Sequence, residues 1–128
     1  MVAADPTAAP VPAATDPSLL ARARALAPVV EAAAAHMEET GRLDESVAGS
    51  LVDSGVLHAL VPTSLGGAGL GIVETIEVYE ELARQDGSTG WSAMAAGAST
   101  AFAAAYASDD VVAELFGGGR RPVMAGQL

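Results

Sequence analysis

The chain has 128 residues, enough for one domain that buries about two-thirds of the surface its unfolded form exposes. Six basic residues against 16 acidic ones give a formal charge of −10, which argues against nucleic acid and anionic membranes as partners, since both require a basic face. Without cysteine there is no disulfide, no thiolate nucleophile and no Cys-based metal site, a composition compatible with a cytoplasmic protein.

Apolar residues make up 51% of the chain but aromatics only 4%, so alanine, valine and leucine dominate and an all-α fold with closely approaching helices is expected. Residues 1–16 open with "MVAADPTAAPVPAAT", which lacks the cationic start and apolar core of a secretory signal and reads as a disordered Ala/Pro-rich arm. Asp16-Pro17 then has the form of an N-cap followed by proline at the first helical position. Leu19, Ala23, Leu26, Val30, Ala33 and Met37 repeat at steps of four and three, predicting one amphipathic helix that ends at Gly41. Pro28 inside this pattern predicts a kink or a late start.

Asp44 is placed to cap a second helix with Val47, Ala48, Leu51 and Val52 inward and Gly55 as its left-handed end. "VLHALVP", Val56 to Pro62, reads as a buried connector, either extended or a helical turn. "TSLGGAGLG", Thr63 to Gly71, carries four closely spaced glycines but meets neither the dinucleotide-binding nor the P-loop spacing, so a tightly turned surface loop is expected.

A third helix, "IVETIEVYEELARQD", is expected to place Val73, Ile76, Tyr79, Leu82 and Ala83 on its core stripe, with Glu74, Glu77, Glu80 and Glu81 as a solvated acidic face. Ser88 or Thr89 is expected to cap a fourth helix that is apolar all round from Trp91 to Tyr106 and therefore central. The uncharged run from Gly87 to Ser108 is too rich in Gly, Ser, Thr and Ala to read as a membrane span. Ser108 or Asp109 begins a last helix, stopped by Gly117-Gly118-Gly119, after which "VMAGQL" reads as the first strand of another unit. The organisation expected is thus an arm over 1–16, a helical domain over 17–122 and the start of a β-domain over 123–128, with five main helices.

No serine-histidine-acid set is supported: His36 lies in an alanine-rich helix, His58 in the apolar connector, and neither has a partner at a telling spacing. HExxH and EF-hand patterns are absent. The stretch that invites a ligand is "QDGSTGWSAMAAGAST", where Gly90 removes a side chain beside the single tryptophan, Trp91, whose flat face suits a planar molecule. A tryptophan that merely fills the core beside a small-residue helix is the alternative.

The order of these motifs resembles the N-terminal helical domain of the acyl-CoA dehydrogenase superfamily. The resemblance rests on a helix ending in D-x-G (Asp53-Ser54-Gly55), a short apolar segment, a P-x-x-x-G-G-x-G loop (Pro62, Gly66, Gly67, Gly69) and an amphipathic helix. It covers about residues 17 to 128. "GSTGW", Gly87 to Trp91, is most similar to the flavin-dependent monooxygenase branch, in which the corresponding tryptophan lies against the flavin. "AGQL", Ala125 to Leu128, resembles the start of the middle β-domain.

The resemblance implies an oxidoreductase using FAD or FMN, with Trp91, Gly126, Gln127 and Leu128 at the cofactor and no catalytic residue or metal ligand within this chain. It further implies a homotetramer at full length and, for the monooxygenase branch, a separate flavin reductase as partner. Phe102 stands where that branch often has a histidine near the substrate pocket, which argues against phenol hydroxylation. Most of the flavin site, and the dehydrogenases' catalytic carboxylate, would lie beyond Leu128, so these 128 residues alone are expected to be inactive. The rival reading is a non-catalytic helical interaction module that has lost the flavin-binding domains.

Overall fold

A computed structural model describes residues 17–125. All regular structure among them is helical: α1 (Leu19–Ala25), α2 (Ala27–Thr40), α3 (Glu45–Ser54), α4 (Ile72–Gln85), α5 (Gly87–Tyr106) and α6 (Asp109–Phe116), with short 3-10 turns at Val56–His58, Thr63–Leu65 and Gly117–Gly119. None of these helices is long and apolar enough to cross a membrane.

The first predicted helix is two. All six of its periodic residues, Leu19 through Met37, are buried as expected, but the ladder breaks at Leu26 because Pro28, in the first turn of α2, has no N–H to give. The side chain of Gln85 bridges the break, its Nε2 donating to the Ala23 carbonyl at 2.9 Å. The cap is also displaced from the expected position. Ser18 Oγ accepts from the Ala21 N–H, so Pro17 precedes the helix and Asp16 lies outside the described residues. A serine two residues nearer the apolar run caps as well as an aspartate, and the first buried residue, Leu19, sets the start.

Helix α3 follows the prediction. Asp44 accepts from the Ser46 N–H at 2.8 Å, Val47 and Leu51 are buried, and Gly55 ends the helix at φ 81°. The connector becomes a buried 3-10 turn, with Val56, Leu57, His58, Ala59 and Val61 all inside. The glycine loop then doubles back along it: the N–H groups of Ala68, Gly69 and Leu70 donate to the carbonyls of His58, Val61 and Ala59 at 2.8–3.0 Å. Gly67 is required there, since a Cβ would meet the Val61 carbonyl oxygen at 2.0 Å.

Helices α4 and α5 form an antiparallel hairpin joined at Asp86, and its seam is the most extensive helix contact in the chain. The buried stripe of α4 is Thr75, Val78, Tyr79 and Leu82. Val73, Ile76 and Ala83, expected inside, are exposed; Thr75 is inside instead because its hydroxyl donates to the Gly71 carbonyl at 2.8 Å and so enters the core already satisfied. Asp86, and not Ser88 or Thr89, caps α5, accepting from the Thr89 N–H at 2.7 Å; Thr89 sits at the third helical position, where the cap's partner belongs.

Beyond α6 the chain returns to α5. The Met124 N–H donates to Thr100 Oγ1 at 3.0 Å, and that hydroxyl donates to the Ala96 carbonyl. Val123 to Ala125 form no regular structure, and the remainder of "VMAGQL" lies outside the described residues.

Candidate functional site

Helix α5 has two faces of opposite character. The residues turned into the protein are Thr89, Gly90, Ala93, Gly97 and Thr100, small or polar throughout. Gly90 lies so close to α4 that a Cβ would come within 2.5 Å of the Ala83 Cα, and a Cβ on Gly97 would come within 2.0 Å of the Tyr79 hydroxyl oxygen. Gly90 therefore makes room for α4 and not for a ligand beside the indole, which corrects the role expected for it.

The opposite face carries Trp91, Met94, Ala95, Ala98, Phe102 and Tyr106, spaced at three and four residues, and every one of them is exposed. Trp91 is 68% accessible, Phe102 65% and Tyr106 75%. The Phe102 and Tyr106 rings support each other, their centroids 4.6 Å apart at a tilt of 34°. The expectation of a central α5 thus holds for one face only. A helix apolar all round is buried where neighbours surround it; here α4 and the Val56–His58 turn cover the side where small residues permit close approach, and the large side chains face out.

This stripe, about four turns long, can present a water-excluding wall with flat π-faces to an apolar or planar molecule. Apart from the Tyr106 hydroxyl, it carries no acid or base. Of the residues expected at a cofactor, Trp91 stands at its start, in the second turn of α5; Gly126, Gln127 and Leu128 lie outside the described residues. Phe102, which the resemblance set near the substrate pocket, is a member, and Tyr106 and Met94 are members that the sequence reading did not mark. Met94, Phe102 and Tyr106 lie 3, 11 and 15 residues beyond Trp91, on one face of a helix with 3.6 residues per turn, and that spacing was the available signal.

The other titratable groups are structural in their surroundings. His36 is exposed, its Nε2 4.0 Å from Asp44 Oδ2. The Ser46 hydroxyl and N–H, and then His36, hold the Asp44 carboxyl below its usual range. His58 is buried, with Nε2 2.8 Å from the Pro122 carbonyl oxygen and Nδ1 without a partner. Glu80 and Glu81 engage Arg84, and Glu81 also engages Arg24, at 3.7 Å, so this part of the acidic face is a salt-bridged surface. Burial pushes the Tyr79 phenol up to about 12, and its hydroxyl has no hydrogen-bond partner. Among the described residues, no three His, Asp or Glu side chains gather as a metal site would require. Two cavities, of about 360 and about 340 Å³, flank the glycine loop, and Trp91 lines neither.

An all-helical domain built on a helical hairpin, with a doubled-back glycine loop before it and an uncovered apolar face, is the class of protein this geometry defines. The family model for the acyl-CoA dehydrogenase N-terminal domain matches residues 18–116, and the chain belongs to that family. No curated protein and no solved structure matches it.

Proposed function

We propose that this chain is the N-terminal helical domain of a flavin-dependent oxidoreductase, and that the outer face of α5 walls one side of its flavin and substrate cavity. The observation that carries the reading is the segregation on α5: large apolar side chains stay exposed while glycines and threonines take the interior. An isolated domain gains nothing from that arrangement, whereas a domain that closes over a cofactor does.

The residues present fit a flat ring on one side. Trp91 supplies an exposed π-face, and Met94, Ala95 and Ala98 continue the surface without charge. FAD or FMN, when bound, supplies the redox chemistry; the part of this chain is to orient one face of the ring and exclude water from it. Met124, tied to Thr100 of α5, leads the chain toward Gly126, Gln127 and Leu128, which the reading assigns to the same cofactor. Of the two chemistries open to the fold, hydride removal or oxygenation with a separate flavin reductase, the G-S-T-G-W sequence favours the second. A homotetramer in the cytoplasm belongs to the same reading.

The test is Trp91→Ala in the full-length flavoprotein. We expect flavin affinity to fall about tenfold, or turnover to uncouple, with the helical circular dichroism unchanged. Unchanged affinity with a loosened fold would make Trp91 a packing residue. On the 128-residue chain, FAD and FMN are expected to leave the fluorescence of this single tryptophan nearly unchanged, because only one wall is present. A helical interaction module would instead show no flavin dependence in either form.

A further inference from the structure

The cavity of about 340 Å³ between the start of α1 and the glycine loop is lined by Arg22, Gly55, His58, Gly67 and Arg121 among others and, among the described residues, by no carboxylate. In a chain with 16 acidic residues and six arginines, that exclusion is informative. The two guanidinium groups converge from opposite ends of the sequence. Around the point where a Cβ of Gly55 would sit, Arg121 Nη1 and Nη2 both lie at 3.7 Å and Arg22 Nη1 at 3.8 Å. Like charges converging without a counter-charge cost energy unless an anion joins them.

Of the six arginines, only Arg24 and Arg84 have an acidic partner among the described residues. Arg24 and Arg84 lie against Glu80 and Glu81, whereas neither Arg22 nor Arg121 has a carboxylate within 4.0 Å among the described residues. Backbone bonds fix Arg22: Nε donates to the Pro17 carbonyl at 3.1 Å and Nη1 to the Ser54 carbonyl at 3.4 Å. Part of its fork is thus held in place before any ligand arrives. The third polar group is His58, only 2% exposed, whose Nδ1 has no partner while Nε2 faces the Pro122 carbonyl. With the proton on Nε2 donating to that carbonyl, Nδ1 offers a lone pair.

We propose that this cavity is a binding site for a phosphorylated small molecule, with Arg22 and Arg121 on the phosphate oxygens. Guanidinium forks match a tetrahedral oxyanion in a bidentate way, and a dianion is neutralised by two of them where a single carboxylate would leave one unmatched. The volume falls at the lower end of the roughly 300–1,000 Å³ usual for small-molecule sites, so it takes a phosphate with a modest organic group attached. This site shares no residue with the Trp91 face and does not depend on the flavin reading.

The test is a titration of the isotope-labelled 128-residue chain with inorganic phosphate and pyrophosphate, followed by amide and arginine Nε resonances at constant ionic strength. Saturable shifts at Gly55, Gly67 and Arg121 are expected, with pyrophosphate binding more tightly and succinate much more weakly. Arg121 makes no hydrogen bond to the rest of the described chain, so Arg121→Gln is expected to leave the spectrum folded and weaken pyrophosphate binding at least about tenfold. Arg121→Lys, keeping the charge and losing the fork, is expected to recover only part. Arg84→Gln, at a paired surface arginine, is expected to change nothing. Shifts that rise linearly without saturating, an equal response to succinate, or undiminished binding by Arg121→Gln would each overturn the assignment.

Discussion

The inner and outer faces of α5 are cut from one helix, yet they obey different rules. Inward, the identity of each residue is set by how near α4 comes: at Gly90 and Gly97 there is no volume for even a methyl group. Outward, nothing in the described chain constrains Trp91, Phe102 or Tyr106, and they are nonetheless the largest side chains the helix has. A domain stabilised only by its own contacts would place these side chains the other way round. The seam is thus set by what stabilises the domain, and the outer face is not.

The largest loss of stability is expected from Gly90→Ala. The added methyl would lie 2.5 Å from both Cα and Cβ of Ala83 and 2.6 Å from its backbone nitrogen, and backbone cannot rotate away. Overpacking of this kind costs about 1–3 kcal/mol, against a helix-propensity gain of about 1, so a net loss of about 1 kcal/mol, and of no more than about 2, is expected in urea unfolding. The control is Gly49→Ala in α3, where nothing lies within 4 Å; there the same change is expected to stabilise by about 0.5–1 kcal/mol. Equal effects at the two sites would mean the α4–α5 seam is not close-packed.

How much of this was legible in the sequence can be judged residue by residue. The 4-3 repeat from Leu19 to Met37 located the inward stripe of α1 and α2 because Leu, Val and Met have no other favourable place. The same logic misplaced α4, since its true stripe includes Thr75 and omits Ile76: once a hydroxyl bonds back to the helix, hydropathy stops deciding the face. On α5 hydropathy was uniform, and the signal lay in the small residues at 90, 93, 97 and 100, which mark the seam. Read alone, Gly90 beside Trp91 suggested space for a ligand. The convergence of Arg22 and Arg121 was invisible because it depends on the chain's return across the domain after α6, which no local pattern encodes.

Tyr79 sharpens the picture of the seam. Its hydroxyl is buried without a partner beside Gly97, and burial raises the phenol from 10.0 to about 12. In the unfolded chain the phenol ionises near 10 while the folded chain still holds its proton. Stability from this group is therefore fully present below pH 10 and is lost as pH rises through about 12, by up to about 1.4 kcal/mol per pH unit. Tyr79→Phe removes both the ionisation and the unpaired oxygen. It is expected to flatten the alkaline limb of the stability profile and to be neutral or slightly stabilising at pH 7, by no more than about 1 kcal/mol. An alkaline limb that survives the substitution would place the responsible group elsewhere.

The smallest effect on stability is expected from the largest side chains. Trp91→Ala and Phe102→Ala each delete an aromatic ring, a change that costs about 3–5 kcal/mol in a core. Both rings are two-thirds exposed here, so only about a third of each surface returns to water on unfolding, and surface substitutions of that kind usually fall within about 0.5 kcal/mol of the parent. The 128-residue chain carrying both changes should therefore unfold at nearly the same urea concentration as the parent, while losing most of its binding to a hydrophobic dye, because the uncovered stripe that the dye recognises is gone. A loss of several kcal/mol would show that the outer face is folded into contacts of its own, and the division of α5 into a stabilising side and a receiving side would fail. Unchanged stability with lost dye binding would leave Trp91 and Phe102 free of any structural duty, so that their size and flatness are explained only by what they are placed to meet.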